Sequence, residues 1–164
     1  MIHNQNVNPA TTDIESDAPD KEMLFVYGTL RPGGVASGKL PLLHCPVGTA
    51  TVSGVLYDLG AYPGIVLTPN DPANQQRVVG DVLAISRKTL RFADTYEGYE
   101  QEKEDASWYT RKRVVARFND GSSVLCWVYA VNLQRFPKAT HVESGDWLKH
   151  CETKTEWFPD TWPD

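Results

Sequence analysis

The chain has 164 residues, enough for one domain with a core of its own, and a formal net charge of −5. Its 41% hydrophobic content is that of an ordinary soluble globule, and without a broad basic stripe nucleic acid is not an expected partner. No apolar run approaches a membrane span and the N-terminus lacks a signal-type hydrophobic stretch, so a cytoplasmic protein is expected, with no membrane partner.

Residues 1–22 are polar and acidic, with Asp13, Glu15, Asp17, Asp20 and Glu22 and no core pattern, and are expected to form a disordered tail. Met23 to Tyr27 then reads as a compact apolar strand. Tyr27-Gly28-Thr29-Leu30 ends it in a turn suited to presenting backbone N–H groups to an anion. The plainer alternative for Gly28 is an ordinary turn glycine. Residues 31–39 read as a loop. Further strands are expected over 50–59, 64–68, 78–85, 111–118 and 123–131, runs rich in Val, Tyr and Ile between Gly, Pro, Asn and Asp. Asn119-Asp120-Gly121-Ser122 is a strong hairpin turn between the last two.

One helix interrupts the strands. Residues 87–96 suit an α-helix with Ser86 as its N-cap. Leu90, Ala93 and Glu97 stand at i, i+3 and i+7 and share one face, while Arg87, Lys88 and Arg91 lie largely elsewhere. Gly98 comes next, the residue expected just past a helix end. Glu97 is therefore expected to face inward, partly desolvated and near the negative end of the helix dipole. Both effects raise a carboxyl pKa and suit it to carrying protons near neutrality. On this spacing alone the alternative is a solvated last-turn Glu in a common Glu-Gly turn.

A second short helix is expected from Ser144 to about Lys149. Many strands with few helices, not alternating regularly, predict an α+β domain: a small mixed β-barrel, closed or nearly so, with one main helix carrying Glu97 and a short C-terminal helix. This domain is expected over 23–150, followed by an aromatic C-terminal extension over 151–164 that either packs back, meets a partner or stays solvated.

Metal is not expected. The three cysteines, Cys45, Cys126 and Cys151, give neither a disulfide framework nor a zinc ribbon. The four histidines, His3, His44, His141 and His150, show no ligand spacing, and His44-Cys45 alone does not define a site. Cys126 reads as a small buried residue in an apolar strand.

Several motifs in order resemble the γ-glutamylcyclotransferase-like superfamily, particularly the branch of γ-glutamylamine cyclotransferase and AIG2-like proteins. They are Tyr27-Gly28-Thr29-Leu30-Arg31, the run from Leu56-Tyr57 to Tyr62-Pro63-Gly64, Val79-Gly80-Asp81-Val82, Asp94-Thr95-Tyr96-Glu97-Gly98-Tyr99, Tyr109-Thr110-Arg111, Trp127-Val128-Tyr129 and Ser144-Gly145-Asp146-Trp147-Leu148. The resemblance covers about residues 23–150. Asp81 stands where Glu is more usual, Leu83 where an aromatic is frequent and Ala93 where Leu is usual, departures that touch packing more than chemistry. The stretches 70–77 and 100–107 look longer and more charged than a minimal member needs and are expected to rim the cavity.

The resemblance implies a cofactor-independent cyclisation of a small γ-glutamyl substrate. The free α-amine attacks its own γ-carbonyl, 5-oxoproline forms and an amine leaves, with Glu97 as general acid/base. It also implies substrate contacts from Tyr27, Gly28, Thr29 and Leu30, whose N–H groups would bind either the α-carboxylate or the developing oxyanion. Thr29 either lends its hydroxyl or only satisfies the turn. Tyr109 and Tyr129 either donate phenolic hydrogen bonds into the cavity or are half-buried strand residues. Tyr62-Pro63-Gly64 reads as shaping the barrel mouth. Arg111 reads as solvated or Asp-paired before it reads as a substrate clamp. The competing readings are a non-catalytic small-metabolite module using the same cavity, and an interaction domain driven by the aromatic C-terminus. The leaving amine and the oligomeric state stay open.

Overall fold

A computed structural model describes residues 20–32, 45–70 and 75–155. The strands are β1 (Lys21–Val26), β2 (Cys45–Asp58), β3 (Pro63–Leu67), β4 (Arg77–Ser86), β5 (Tyr109–Phe118), β6 (Ser123–Val131) and a short β7 (Thr140–His141). The main helix α1 (Arg87–Tyr96) comes after β4, and α2 (Trp147–Thr153) ends the described chain. A charged 3₁₀ stretch, Gln101–Ala106, separates α1 from β5.

Strands β1, β4, β2, β3 and β6 close into a mixed five-strand barrel. The β1–β4, β4–β2 and β2–β3 ladders are antiparallel, while β3–β6 and β6–β1 are parallel. β5 forms the antiparallel hairpin with β6 and touches β2 at Ala50 and Thr51. The two parallel seams are each registered at a single pair, Ile65 with Ala130 and Leu24 with Trp127. The barrel wall is least zipped there, and a cavity opens beside it, lined in part by Tyr27 and Tyr129.

Alternation along β1 sorts its side chains into two cores, as period-two geometry requires. Phe25 and Tyr27 join Val52, Leu56, Ile65, Val78, Val82 and Val128 inside the barrel, where the fully buried Trp147 of α2 also packs. Leu24 and Val26 join Leu83, Ile85, Leu90, Ala93, Tyr109 and Tyr129 under α1. Leu90 and Ala93 are thus buried on the face that the spacing indicated.

Several expected boundaries shift. β1 begins at Lys21, inside the stretch read as tail, because its backbone pairs with Ser86 and Ile85 whatever its side chains. β2 begins at Cys45 rather than at residue 50, through a register shift at Pro46–Gly48 opposite β4. The second helix starts at Trp147 rather than Ser144. The true N-cap is Asp146, whose side chain accepts the Lys149 N–H at 3.2 Å, and it continues to Thr153. The hairpin turn at Asn119–Ser122 forms as read, with Phe118 N–H donating to Ser122 O at 2.8 Å. Residues 33–39 of the expected loop 31–39 and the Trp157–Trp162 run lie outside the described residues, as does most of the expected tail. Among the described residues no helix is long and apolar enough to cross a membrane.

Candidate active site

Both ends of α1 are fixed by local chemistry. At its start the Ser86 hydroxyl accepts the Thr89 N–H at 3.1 Å. At its end Glu97 is the C-cap, with its N–H on Ala93 O at 2.9 Å. Gly98 then takes a left-handed φ of +68°. Its N–H meets Thr95 O at 3.1 Å, and the Tyr99 N–H meets Asp94 O at 2.8 Å. That bond pair is a Schellman motif, and it locks the direction in which Glu97 leaves the helix.

Glu97 enters a cavity of about 150 Å³. Tyr27, Gly28, Thr29, Leu30, Tyr109 and Tyr129 also line it, so the structure brings together all seven residues singled out in the sequence. Phe25, Val26, Tyr62, Pro63 and Tyr96 complete the described wall, which leaves Glu97 as the sole carboxyl in it. Although the residue as a whole is half-buried, its carboxyl is wrapped by protein and makes no side-chain hydrogen bond among the described residues. Burial pushes that carboxyl up to about 8.

The hydroxyls of Tyr27, Tyr109 and Tyr129 are committed to the scaffold. Tyr27 donates to Tyr129 O at 2.6 Å and accepts the Ile65 N–H at 3.1 Å. Its hydroxyl therefore bridges backbone groups of β6 and β3 where their ladder is sparse. Tyr109 donates to Pro63 O at 2.7 Å, and Tyr129 donates to Asp94 Oδ1 at 2.7 Å. Burial first, with the Glu97 charge adding to it, drives all three phenols above their ordinary value, so they stay protonated. Of Glu97 and these three phenols, Glu97 alone is thereby placed to exchange protons near neutrality.

The same cavity is lined by the turn after β1, closed by the Arg31 N–H on Gly28 O at 3.0 Å. Among the described residues nothing accepts from the N–H groups of Gly28, Thr29 or Leu30. Gly28 is not among the positive-φ glycines, so it does not stand in the left-handed region. The turn's requirement for glycine has another cause: a Cβ at Gly28 would stand 2.5 Å from Cγ of Pro63. Gly28→Val is accordingly expected to displace the Pro63 wall and lower stability by about 1–3 kcal/mol. Thermal melting checks this, and an unchanged melting temperature would mean that the Pro63 wall yields freely.

The family model described as gamma-glutamyl cyclotransferase, AIG2-like, matches residues 24–149. The chain belongs to this family. Among curated relatives of this gamma-glutamyl cyclotransferase family member is a Vibrio cholerae protein assigned as a gamma-glutamylcyclotransferase, 30% identical over 79% of this chain and 97% of that one. Another is the gamma-L-glutamyl-butirosin B gamma-glutamyl cyclotransferase of Niallia circulans, 28% identical over 77% of this chain and 76% of that one. An AIG2-like protein from Mus musculus shares the fold at a TM-score of 0.58 and 22% identity, covering 76% of this chain and 87% of that one. YkqA of Bacillus subtilis shares it at a TM-score of 0.62 and 24% identity over 82% of this chain, which spans only 44% of that protein. The family model and the two curated relatives support gamma-glutamyl cyclotransferase activity in general.

Around this cyclotransferase-family cavity, sequence reading passed over Asp94. Its carboxylate receives Tyr129 and also Arg111 Nη1, at 2.8 Å to Oδ2. Burial raises the Asp94 carboxyl above its ordinary value, against the pull of Tyr129 and Arg111. Arg111 lies over the Trp127 ring at 4.4 Å and outside the cavity wall, which makes it Asp-paired rather than a substrate clamp. Arg31 is buried and tied to Asp81 at 2.8 Å and Asp146 at 3.1 Å, so the Asp at position 81 keeps an ion pair behind the turn. The described parts of 70–77 and all of 100–107 lie away from the cavity wall, contrary to the expectation that they rim it. The 3₁₀ stretch is exposed instead, with no buried residue. Tyr62 and Pro63 do form wall, as read. Among the described residues no group of three or more His, Cys, Asp and Glu side chains is arranged to hold a metal ion.

Proposed function

We propose that this protein is a γ-glutamyl cyclotransferase that releases 5-oxoproline and a free amine from a small γ-glutamyl compound, with Glu97 as general acid/base. The observation that carries the reading is one desolvated carboxyl, without a hydrogen bond among the described residues, in the same small aromatic cavity as a turn whose N–H groups are unengaged among the described residues. Family membership and the names of the relatives support the reaction class.

The chemistry asks little of the protein beyond holding and proton transfer. The substrate α-nitrogen attacks its own γ-carbonyl carbon, a C–N bond closes the five-membered lactam, and the γ-amide C–N bond breaks. Two protons must leave the α-ammonium and two must reach the departing nitrogen, which exits as an ammonium. Glu97 takes and returns them in turn, a task suited to a carboxyl poised near the working pH. Holding the chain curled makes the attack intramolecular and supplies the proximity term. The N–H groups of Gly28, Thr29 and Leu30 receive either the α-carboxylate or the carbonyl oxygen as it becomes an oxyanion. Tyr109 and Tyr129 act as walls whose hydroxyls are held by Pro63 and Asp94.

Size limits what enters. A cavity of about 150 Å³ is well below the roughly 300–1,000 Å³ of clefts that enclose a whole drug-sized ligand. It takes the γ-glutamyl head, and the leaving amine extends past Tyr62 and Tyr96. A panel of γ-glutamyl amines, amides and amino acids assayed for 5-oxoproline tests this reading. Release is expected from at least one class, and a panel that yields none while a ligand still binds would favour a binding module.

A further inference from the structure

The two turns that wall the cavity, Gly28–Leu30 and the β2–β3 connection ending in Tyr62 and Pro63, have no ladder between them. The short C-terminal helix reaches both. At its N-terminus Asp146 caps α2 and also holds Arg31 at 3.1 Å, directly behind the Gly28–Leu30 turn. Near its C-terminus His150 Nε2 meets Asp58 Oδ2 at 2.8 Å, and Lys154 Nζ meets Asp58 Oδ1 at 2.9 Å. Lys154 Nζ also donates to Gly60 O in a short contact. Asp58 is the last residue of β2, and its Oδ1 accepts the Gly60 N–H at 2.7 Å while Leu59 N–H closes on Tyr62 O at 2.8 Å.

We propose that Lys154 is a positioning residue that, through Asp58 and the Gly60 carbonyl, clamps the Tyr62–Pro63 wall at the separation from the Gly28–Leu30 turn that the γ-glutamyl head requires. Its ammonium side chain is 5% exposed and the Asp58 side chain 9%, so this is a desolvated pair rather than a surface one. Burial alone would raise the Asp58 carboxyl, yet hydrogen bonds from Lys154, His150 and Gly60 outweigh it and hold it below its ordinary value. The Lys154 ammonium also lies 5.2 Å from the centre of the buried Trp147 ring, which anchors the clamp to the barrel core. From the clamped turn the chain passes into Pro63, whose carbonyl holds Tyr109 and whose ring abuts Gly28. One ammonium thereby bears on both cavity walls without touching the cavity.

The inference rests on the proposed function for its kinetic readout and on geometry alone for a second one. Lys154→Met keeps the stem and removes the charge. With a γ-glutamyl substrate that the native protein turns over, KM is expected to rise about tenfold, since wall displacements near 1 Å are costly to positioning. Unchanged KM in the folded variant overturns the clamp. Native protein that turns over no γ-glutamyl compound defeats the activity instead, and the clamp is then read from the Glu97 carboxyl carbon by NMR titration. With the wall released, water reaches that carboxyl and its midpoint is expected to fall from about 8 towards 4.5. An unmoved midpoint overturns the clamp. Should Lys154→Met leave Asp58 uncompensated and fail to fold, the Asp58→Asn/Lys154→Met pair removes both charges and carries the same expectations.

Discussion

Glu97→Gln is expected to lower turnover of a γ-glutamyl substrate by about 10²–10⁴-fold while the fold is kept. Gln preserves size and hydrogen-bonding capacity and removes only the exchangeable proton. In the native protein kcat/KM should climb with pH through about 8, as Glu97 loses its proton and becomes competent as a base. That limb should vanish from the residual activity of the variant. Stability should respond in the opposite sense. A carboxyl whose folded value lies above its ordinary 4.5 adds stability that is complete below 4.5 and lost as pH rises through about 8. Glu97→Gln should therefore melt above the native protein at pH 9 and match it at pH 4. Full activity in a well-folded Glu97→Gln protein would sink the mechanism, whereas loss of activity with an unchanged melting difference would place the cost elsewhere than in desolvation.

Acetylating the substrate at its α-amine is expected to eliminate turnover altogether. In the proposed reaction the α-nitrogen is the attacking atom, and as an amide it is neither nucleophilic nor a source of the protons that Glu97 is to carry. Mass spectrometry of the products separates the possibilities cleanly. No product supports internal attack. Acetylglutamate released at a rate comparable to that of 5-oxoproline from the free compound would mean that water is the nucleophile. The protein would then be a hydrolase even with Glu97 essential, so this measurement tests something that no substitution at Glu97 reaches.

The parts of the site that were legible in the sequence are those written locally. Ser86, Leu90, Ala93 and Gly98 fixed the helix and the direction of Glu97 within a dozen residues, and the Schellman bonds around Gly98 are the physical form of that spacing. The turn at Tyr27–Leu30 was legible for the same reason. Asp94 was not, because its meaning lies in partners 17 and 35 residues away, Arg111 and Tyr129. Asp58 likewise shows no local sign that it will meet residues 92 and 96 positions later. Lys21 and Glu22 read as tail since composition reports side chains, whereas strand pairing with Ser86 and Ile85 is a backbone matter. Gly28 was legible as a turn glycine that permits close approach to the backbone, but the neighbour that excludes a Cβ there, Pro63, comes from a different strand.

Placing the Glu97 carboxyl on the cap of α1, with the chain reversing at Gly98 immediately after it, makes its position independent of the length of the next segment. The exposed 3₁₀ stretch Gln101–Ala106 buries no residue, and the chain regains the sheet only at Tyr109. This stretch is accordingly a natural insertion point: residues added or deleted there change the outer profile of the molecule while the carboxyl keeps its place. A label, an affinity tag or a transplanted recognition loop can be carried at this point. Within α1 itself one added residue would rotate Glu97 by about 100° and turn it out of the cavity.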